Sequence, residues 1–310
     1  MELSLLLVEK IASMFLMMLF GFLLIKTRAL KSSASMPLAK LGLFAICPCA
    51  LIDALQIECT PERLSALALS FLAAIVVHIV YILIGHLLRR PLRLSKLEEA
   101  SSIYSNASGL IIPLVIYCLG DEWAYCACGY IVVQTCLMWT HERIRLSGVS
   151  KIEPKQILLN TNIMAVIIGM AFFLLNYRLP PILGSTISDL GDMLGPMSMI
   201  ILGMLLADVN WKQLIQYKRA FLVTALRLIV FPSLMVPIFA MLGHLAPHPD
   251  SVSILMVVLL SSASPVASTI TQMAQIFDLD AGYAGVINIV GVLFCIITMP
   301  LIVAFYQILL

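Results

Sequence analysis

Apolar runs of about 20 residues recur from one end of the chain to the other, each long enough to cross a hydrocarbon core. That feature rules out most of what 310 residues could fold into. Charged residues make up 12% of the chain and hydrophobic ones 61%, so there are too few charges to cover a soluble globule. No repeat tract, polar tail or basic block points to a fibrous, disordered or nucleic-acid-binding protein. The chain reads as a polytopic, all-α membrane protein with lipid around it. No cleavable leader is visible, because the first apolar run is followed, not preceded, by its basic cluster Lys26, Arg28 and Lys31.

Polar breaks divide the apolar sequence into about ten spans, at 4–25, 34–56, 63–88, 98–119, 122–141, 156–176, 181–207, 218–243, 251–275 and 281–309. The connecting loops are all under about 15 residues, leaving no room for a soluble module. The whole of 1–310 is therefore expected to be one transmembrane domain. Lys26, Arg28, Lys31, Lys40, Arg89, Arg90, Arg93, Lys96, Arg143, Arg145, Lys151, Lys155, Lys212, Lys218 and Arg219 all fall on one side. Only Lys10, Arg63 and Arg178 fall on the other. The positive-inside rule makes the basic side cytoplasmic and puts both termini outside.

Ten spans split into two halves of five, and an odd number per half means an inverted repeat. The prolines agree. Pro48 and Pro113 in spans 2 and 4 match Pro196 and Pro265 in spans 7 and 9. Span 4 carries Ser105-Asn106-Ala107-Ser108-Gly109 ahead of Pro113, and span 9 carries Ser261-Ser262-Ala263-Ser264-Pro265. Proline and glycine permit a helix to break, and a break at bilayer depth is tolerated only around a cavity or inside protein. The second half of such a helix begins with free N–H groups that favour an anion. The candidate substrate-binding set is Ser105, Asn106, Gly109, Pro113, Ser264, Pro265, Ser268 and Thr269. A kink packed with small residues, and hydroxyls bonded to their own helix, are the plainer readings of either stretch alone.

Three further polar residues are candidates for coupling or secondary contact: His78 in span 3, Gln134 in span 5 and Arg227 in span 8. Arg227 is expected to snorkel to the cytoplasmic face. Asp53 and Asp208 lie near span ends and read as solvated. The eight cysteines form no C-x-x-C pair and have no His cluster beside them. Cys47-Pro48-Cys49 lacks the D-K-T-G of a metal pump, so it reads as packing. No metal or organic cofactor is expected. A proton through His78, or sodium held by carbonyls and hydroxyls, both remain open as the coupling ion.

At Asn106, Gly109 and Pro113 the sequence resembles the N-x-x-x-G-x-P-type signature of the auxin efflux carrier family. Pro48, Asn160-Thr161-Asn162, Gly195-Pro196, Gly203, Arg227-Leu228 with Pro232, and Pro300 fit the same pattern. The chain departs from it at Ser264, where methionine is usual, and at Thr161, where proline is usual. It also lacks the long cytoplasmic loop of the plant exporters, as a compact bacterial permease would. The resemblance implies a fold like that of bile-acid/sodium symporters. Spans 1, 2, 6 and 7 would form a scaffold, and spans 3–5 and 8–10 a transport unit. Spans 4 and 9 would cross at their prolines, and the transport unit would move in an elevator-like cycle. A homodimer through the scaffold fits that picture.

The expectation is an inner-membrane secondary transporter of a small organic anion, a mono- or dicarboxylate. G-x-x-x-x-G-K-[ST] is absent from the chain, so a gradient would drive it. The rivals are a transporter of neutral or cationic metabolites, a channel or receptor, and an intramembrane enzyme. The last lacks an H-E-x-x-H set or paired mid-span aspartates.

Overall fold

A computed structural model describes residue 13 and residues 16–148, 159–207 and 217–310. Lys10, Lys151, Lys155, Asp208 and Lys212 lie outside the described residues. Within them every regular element is a helix, apart from a single isolated β-bridge. The helices are α1 (Leu16–Lys26), α2 (Ser35–Ala54), α3 (Pro61–Arg89), α4 (Lys96–Ile103) and α5 (Ala107–Leu119). Next comes α6 (Ala124–Leu137), which runs on through a π turn at Met138–Glu142 to Arg143–Ser147. The remainder are α7 (Thr161–Leu174), α8 (Pro181–Asp192), α9 (Leu194–Ala207), α10 (Lys218–Leu245), α11 (Ser251–Ala263), α12 (Ser268–Ile276) and α13 (Ala281–Leu309). Among the described residues α2, α3 and α10 are long and apolar enough to cross a membrane. The bent α13 counts as a fourth if its two parts form one span, and α1, α7 and α11 are shorter apolar helices.

Local sequence explains where these helices start and bend. Thr60 accepts from Arg63 N ahead of Pro61 in α3, and Asn160 Oδ1 accepts from Asn162 N and Ile163 N to open α7. A Ser95/Glu98 capping box starts α4. Proline accounts for the interruptions, because it lacks the N–H that would reach the carbonyl four residues back. Pro300 leaves Ile296 O without that partner, and α13 bends by 52° between Cys295 and Ile297. Pro196 does the same to Asp192 O, so the seventh span is two helices, α8 and α9, instead of the continuous 181–207 expected. Wide π turns at Gly42–Ile46 and Leu226–Val230 precede Pro48 and Pro232 and take up the clash each would cause.

The core is built around α11, which is buried on every side from Ile254 to Ala263. Helices α3, α6 and α10 pack against it. On the other side of the molecule α2 packs on α7 and α8, while α1 meets α9. That last contact is backbone to backbone. A Cβ built on Gly203 would overlap the Met18 carbonyl, and one on Gly21 would overlap that of Ile200. Only residues without a side chain allow so close an approach.

Candidate functional site

The fourth and ninth spans are both broken, and they cross each other. Helix α4 ends at Ile103, Tyr104 and Ser105 are extended, and α5 starts at Ala107 after Asn106. Helix α11 ends at Ala263, Ser264–Ala267 is extended, and α12 starts at Ser268. Ser264 stands before Pro265, which disfavours the helical region for it, and its ψ is 159°. The two extended pieces run antiparallel with Ser105 opposite Val266. Asn106 N donates to Pro265 O at 2.7 Å and Ala267 N donates to Tyr104 O at 3.1 Å. The crossing therefore sits next to Pro265 but well before Pro113, which lies inside α5. In span 4 the chain breaks at Tyr104–Asn106, at the start of the expected Ser105–Pro113 stretch and not at its proline.

Side chains from neighbouring helices fix the crossing. Gln134 of α6 accepts from Ser105 N (2.9 Å) and Ser105 Oγ (2.7 Å) and donates to Ser105 O (2.7 Å). Tyr130 OH lies 3.1 Å from Ser105 Oγ, and Asn288 of α13 donates to Val266 O at 3.1 Å. Ser105 is thus fully engaged in structure. Ser264 is buried too, its hydroxyl donating to Ser261 O at 3.0 Å. Asn106 is half-buried and is the N-cap residue of α5, yet its side chain makes no cap hydrogen bond. Thr269 is half-buried in the first turn of α12. The side chains of Gly109, Pro113 and Ser268 lie outside the described residues, although their backbones belong to α5 and α12.

Arg227 corrects the sequence reading. It does not snorkel: it is fully buried, on the π turn of α10. Its guanidinium donates to Ser264 O (3.0 Å), Ser262 O (2.5 Å) and Ile103 O (2.9 Å), with Ser102 O at 3.4 Å. Those carbonyls end α4 and α11, the first half of each broken span. Cation and helix termini attract, since the last carbonyls of a helix carry about half a negative charge. Tyr81 covers the guanidinium from 5.6 Å. Among the described residues no carboxylate forms an ion pair with Arg227.

His78 is buried beside this arrangement, with its ring centroid 4.9 Å from that of Tyr130 and 6.3 Å from that of Tyr104. Its Nδ1 donates to Ala74 O at 2.7 Å, and its Nε2 has no hydrogen-bond partner among the described residues. A cavity of about 630 Å³ lies between α2, α5 and the α8–α9 pair. Asp53, Gln56, Ile112, Ile116, Ser188 and Asp192 line it, whereas Ser105, Asn106, Ser264, Pro265 and Thr269 do not. Asp53 is half-buried and accepts from Ser188 Oγ at 3.2 Å, so it is less solvated than its place near a span end suggested.

Sequence reading missed Tyr104, Tyr130 and Asn288, whose partners are all distant in the chain. The Gln134 arrangement makes a prediction. Gln134→Leu leaves the Ser105 N–H and C=O unpaired in the core, at about 1–3 kcal/mol per group. A thermal-unfolding midpoint several degrees below wild type is expected, and an unchanged midpoint would remove Gln134 from this role.

The arrangement is electrostatically one-sided. Both first-half C-termini are occupied by a buried cation, while both second-half N-termini, at Ala107 and Ser268, have no side-chain cap. Such a crossing favours negative charge. A family model described as membrane transport protein matches residues 6–151 and 142–303, nearly the whole chain. No curated protein matches it significantly.

Proposed function

The chain belongs to the membrane transport protein family, that of the auxin efflux carriers, and within it we propose a secondary-active transporter of a small organic anion, a mono- or dicarboxylate. One observation carries the reading: two uncapped helix N-termini meet at a crossing where Arg227 has already neutralised the opposing C-termini. What is left over is positive charge in a low dielectric, with no carboxylate among the described residues paired to it. Asn106 stands at that point with its side-chain amide not committed to capping. It would orient the carboxylate, and the free N–H groups of α5 and α12 would hold it.

The wider architecture proposed is ten spans in two inverted five-span repeats, in a bacterial inner membrane with both termini outward. Spans 1, 2, 6 and 7 form the scaffold, through which two copies could pair. Spans 3–5 and 8–10 move against it, carrying the crossing in an elevator-type cycle. Two features support the division: among the described residues the hydrogen bonds that hold the crossing come from spans 5, 8 and 10, and a cavity lies between α5, α2 and α8. Purified protein in proteoliposomes should show saturable flux of at least one among acetate, malonate and succinate, and no flux of any of them refutes the anion claim. Asn106→Ala should weaken binding by about tenfold, or ~1.4 kcal/mol, the scale of one hydrogen bond to a charged group. Unchanged affinity would take Asn106 out of the site.

A second reading, transport of a neutral or cationic metabolite, has one observation in its favour. The cavity between α2, α5 and α8 carries Asp53 and Asp192, and among the described residues no basic one lines it. Inhibition of flux by simple amines, with no inhibition by carboxylates, would decide for it.

A further inference from the structure

We propose that Glu142 binds the proton that couples transport, as a neutral carboxyl linked through His141 and Tyr104 to the crossing of the broken spans. This rests on reading the chain as a gradient-driven transporter. The starting observation is a side chain that the crossing does not use. Glu142 is only 1% exposed, and neither of its carboxyl oxygens has a hydrogen-bond partner among the described residues. An ionised carboxylate buried without a donor costs several kcal/mol, whereas the protonated form removes that cost.

Among the described residues no charged group donates a hydrogen bond to Glu142. Arg145, one turn further along the same helix, is bonded to Glu99 of α4, which Arg89 of α3 also approaches at 3.5 Å. Helix α12 packs on this end of α6, and its residues Ser268–Ile276 include no titratable side chain. His141 is the nearest group able to share a proton, with Nδ1 3.8 Å from Glu142 Oε2. It is 30% exposed, so it offers water access that Glu142 lacks. Both residues sit on the π turn at Met138–Glu142, a widened stretch that turns consecutive side chains inward.

The same imidazole is wired to the crossing. Tyr104 OH lies 2.9 Å from His141 Nδ1, and Tyr104 O accepts from Ala267 N in the antiparallel bridge. A shift of the crossing on substrate binding moves Tyr104, changes the partner of Nδ1, and so alters how tightly Glu142 holds its proton. Coupling needs that reciprocity: each ligand changes the affinity for the other.

The infrared spectrum of the purified protein tests the proton site without reference to transport. Wild type at neutral pH should show a protonated-carboxyl stretching band that disappears at higher pH and is missing from Glu142→Gln. Absence of the band in wild type, or its persistence in the variant, overturns the proposal. Tyr104→Phe should keep the band but change the pH at which it vanishes, and an identical titration would cut the link to the crossing. In proteoliposomes loaded with malonate, Glu142→Gln should still exchange malonate at equal concentrations and lose acceleration by an imposed pH gradient. Acceleration equal to wild type overturns the proposal. If wild-type protein moves neither malonate, acetate nor succinate, the carboxylate reading fails, and the infrared result still decides the role of Glu142.

Discussion

Replacing Arg227 with Ala is expected to abolish the folded protein. At least three buried carbonyls, of Ile103, Ser262 and Ser264, would lose a charged donor. Hydrogen bonds to charged groups contribute about 1.5–3 kcal/mol each, and removing one side of a buried charged network costs roughly 3–5 kcal/mol. Since whole domains are stable by only about 5–15 kcal/mol, the loss is a large share of the total. Size-exclusion chromatography of a fluorescent fusion in mild detergent should show the monodisperse wild-type peak replaced by aggregate. Arg227→Lys separates charge from geometry. An ammonium keeps the positive charge but cannot reach both helix ends with a planar fork. It should fold with a lowered melting point and retain part of the anion affinity. A wild-type melting point for Arg227→Ala would show that the two C-termini do not depend on the guanidinium.

The second large effect is expected at Gly203, where α1 and α9 touch. A Cβ there would overlap the Met18 carbonyl and come within 2.8 Å of Phe22 N. Both are backbone atoms, which cannot rotate away as a side-chain tip can, so the helices must move apart. Overpacking of this kind costs about 1–3 kcal/mol, and Gly203→Val should lie at the upper end. Gly21→Ala acts on the same contact, where its Cβ would meet Ile200 Cα at 2.9 Å and overlap that residue's carbonyl oxygen. Once either change has separated the helices the other has less to disturb, so the double variant should be less destabilised than the sum of the singles. Thermal unfolding of the three variants checks this; strict additivity would mean the two glycines do not share a contact.

Much of this architecture could be read from residue order. The apolar runs located the helices, and Pro265 located the break in the ninth span because proline acts on its own neighbours. Pro113 misled for the complementary reason. The chain opens at Tyr104–Asn106, where Gln134, Pro265, Ala267 and Arg227 supply hydrogen bonds that α4 and α5 give up. Those partners come from the fifth, ninth and eighth spans, and local pattern does not encode which spans meet. Arg227 failed for the same reason. Its depth along α10 is visible in sequence, but the four carbonyls that make burial tolerable belong to two other spans. Gln134 stands out in sequence as an amide in an apolar span, but that its partner is Ser105 of the fourth span is visible only in the fold. Glu142 lies one residue past the expected end of the fifth span, and only packing reveals that it is buried.

The two hydrogen bonds of the Ser105–Val266 bridge make the broken spans one mechanical part. Helices α4 and α12 leave the bridge toward one face of the molecule, and α5 and α11 leave it toward the other. A push along any of the four loads the other three through a pivot two bonds wide. Amide hydrogen exchange should then report Asn106 and Ala267 opening together, at a single rate, despite their separation in the chain. A carrier built around such a pivot moves both broken spans as one piece, whichever helix is pushed.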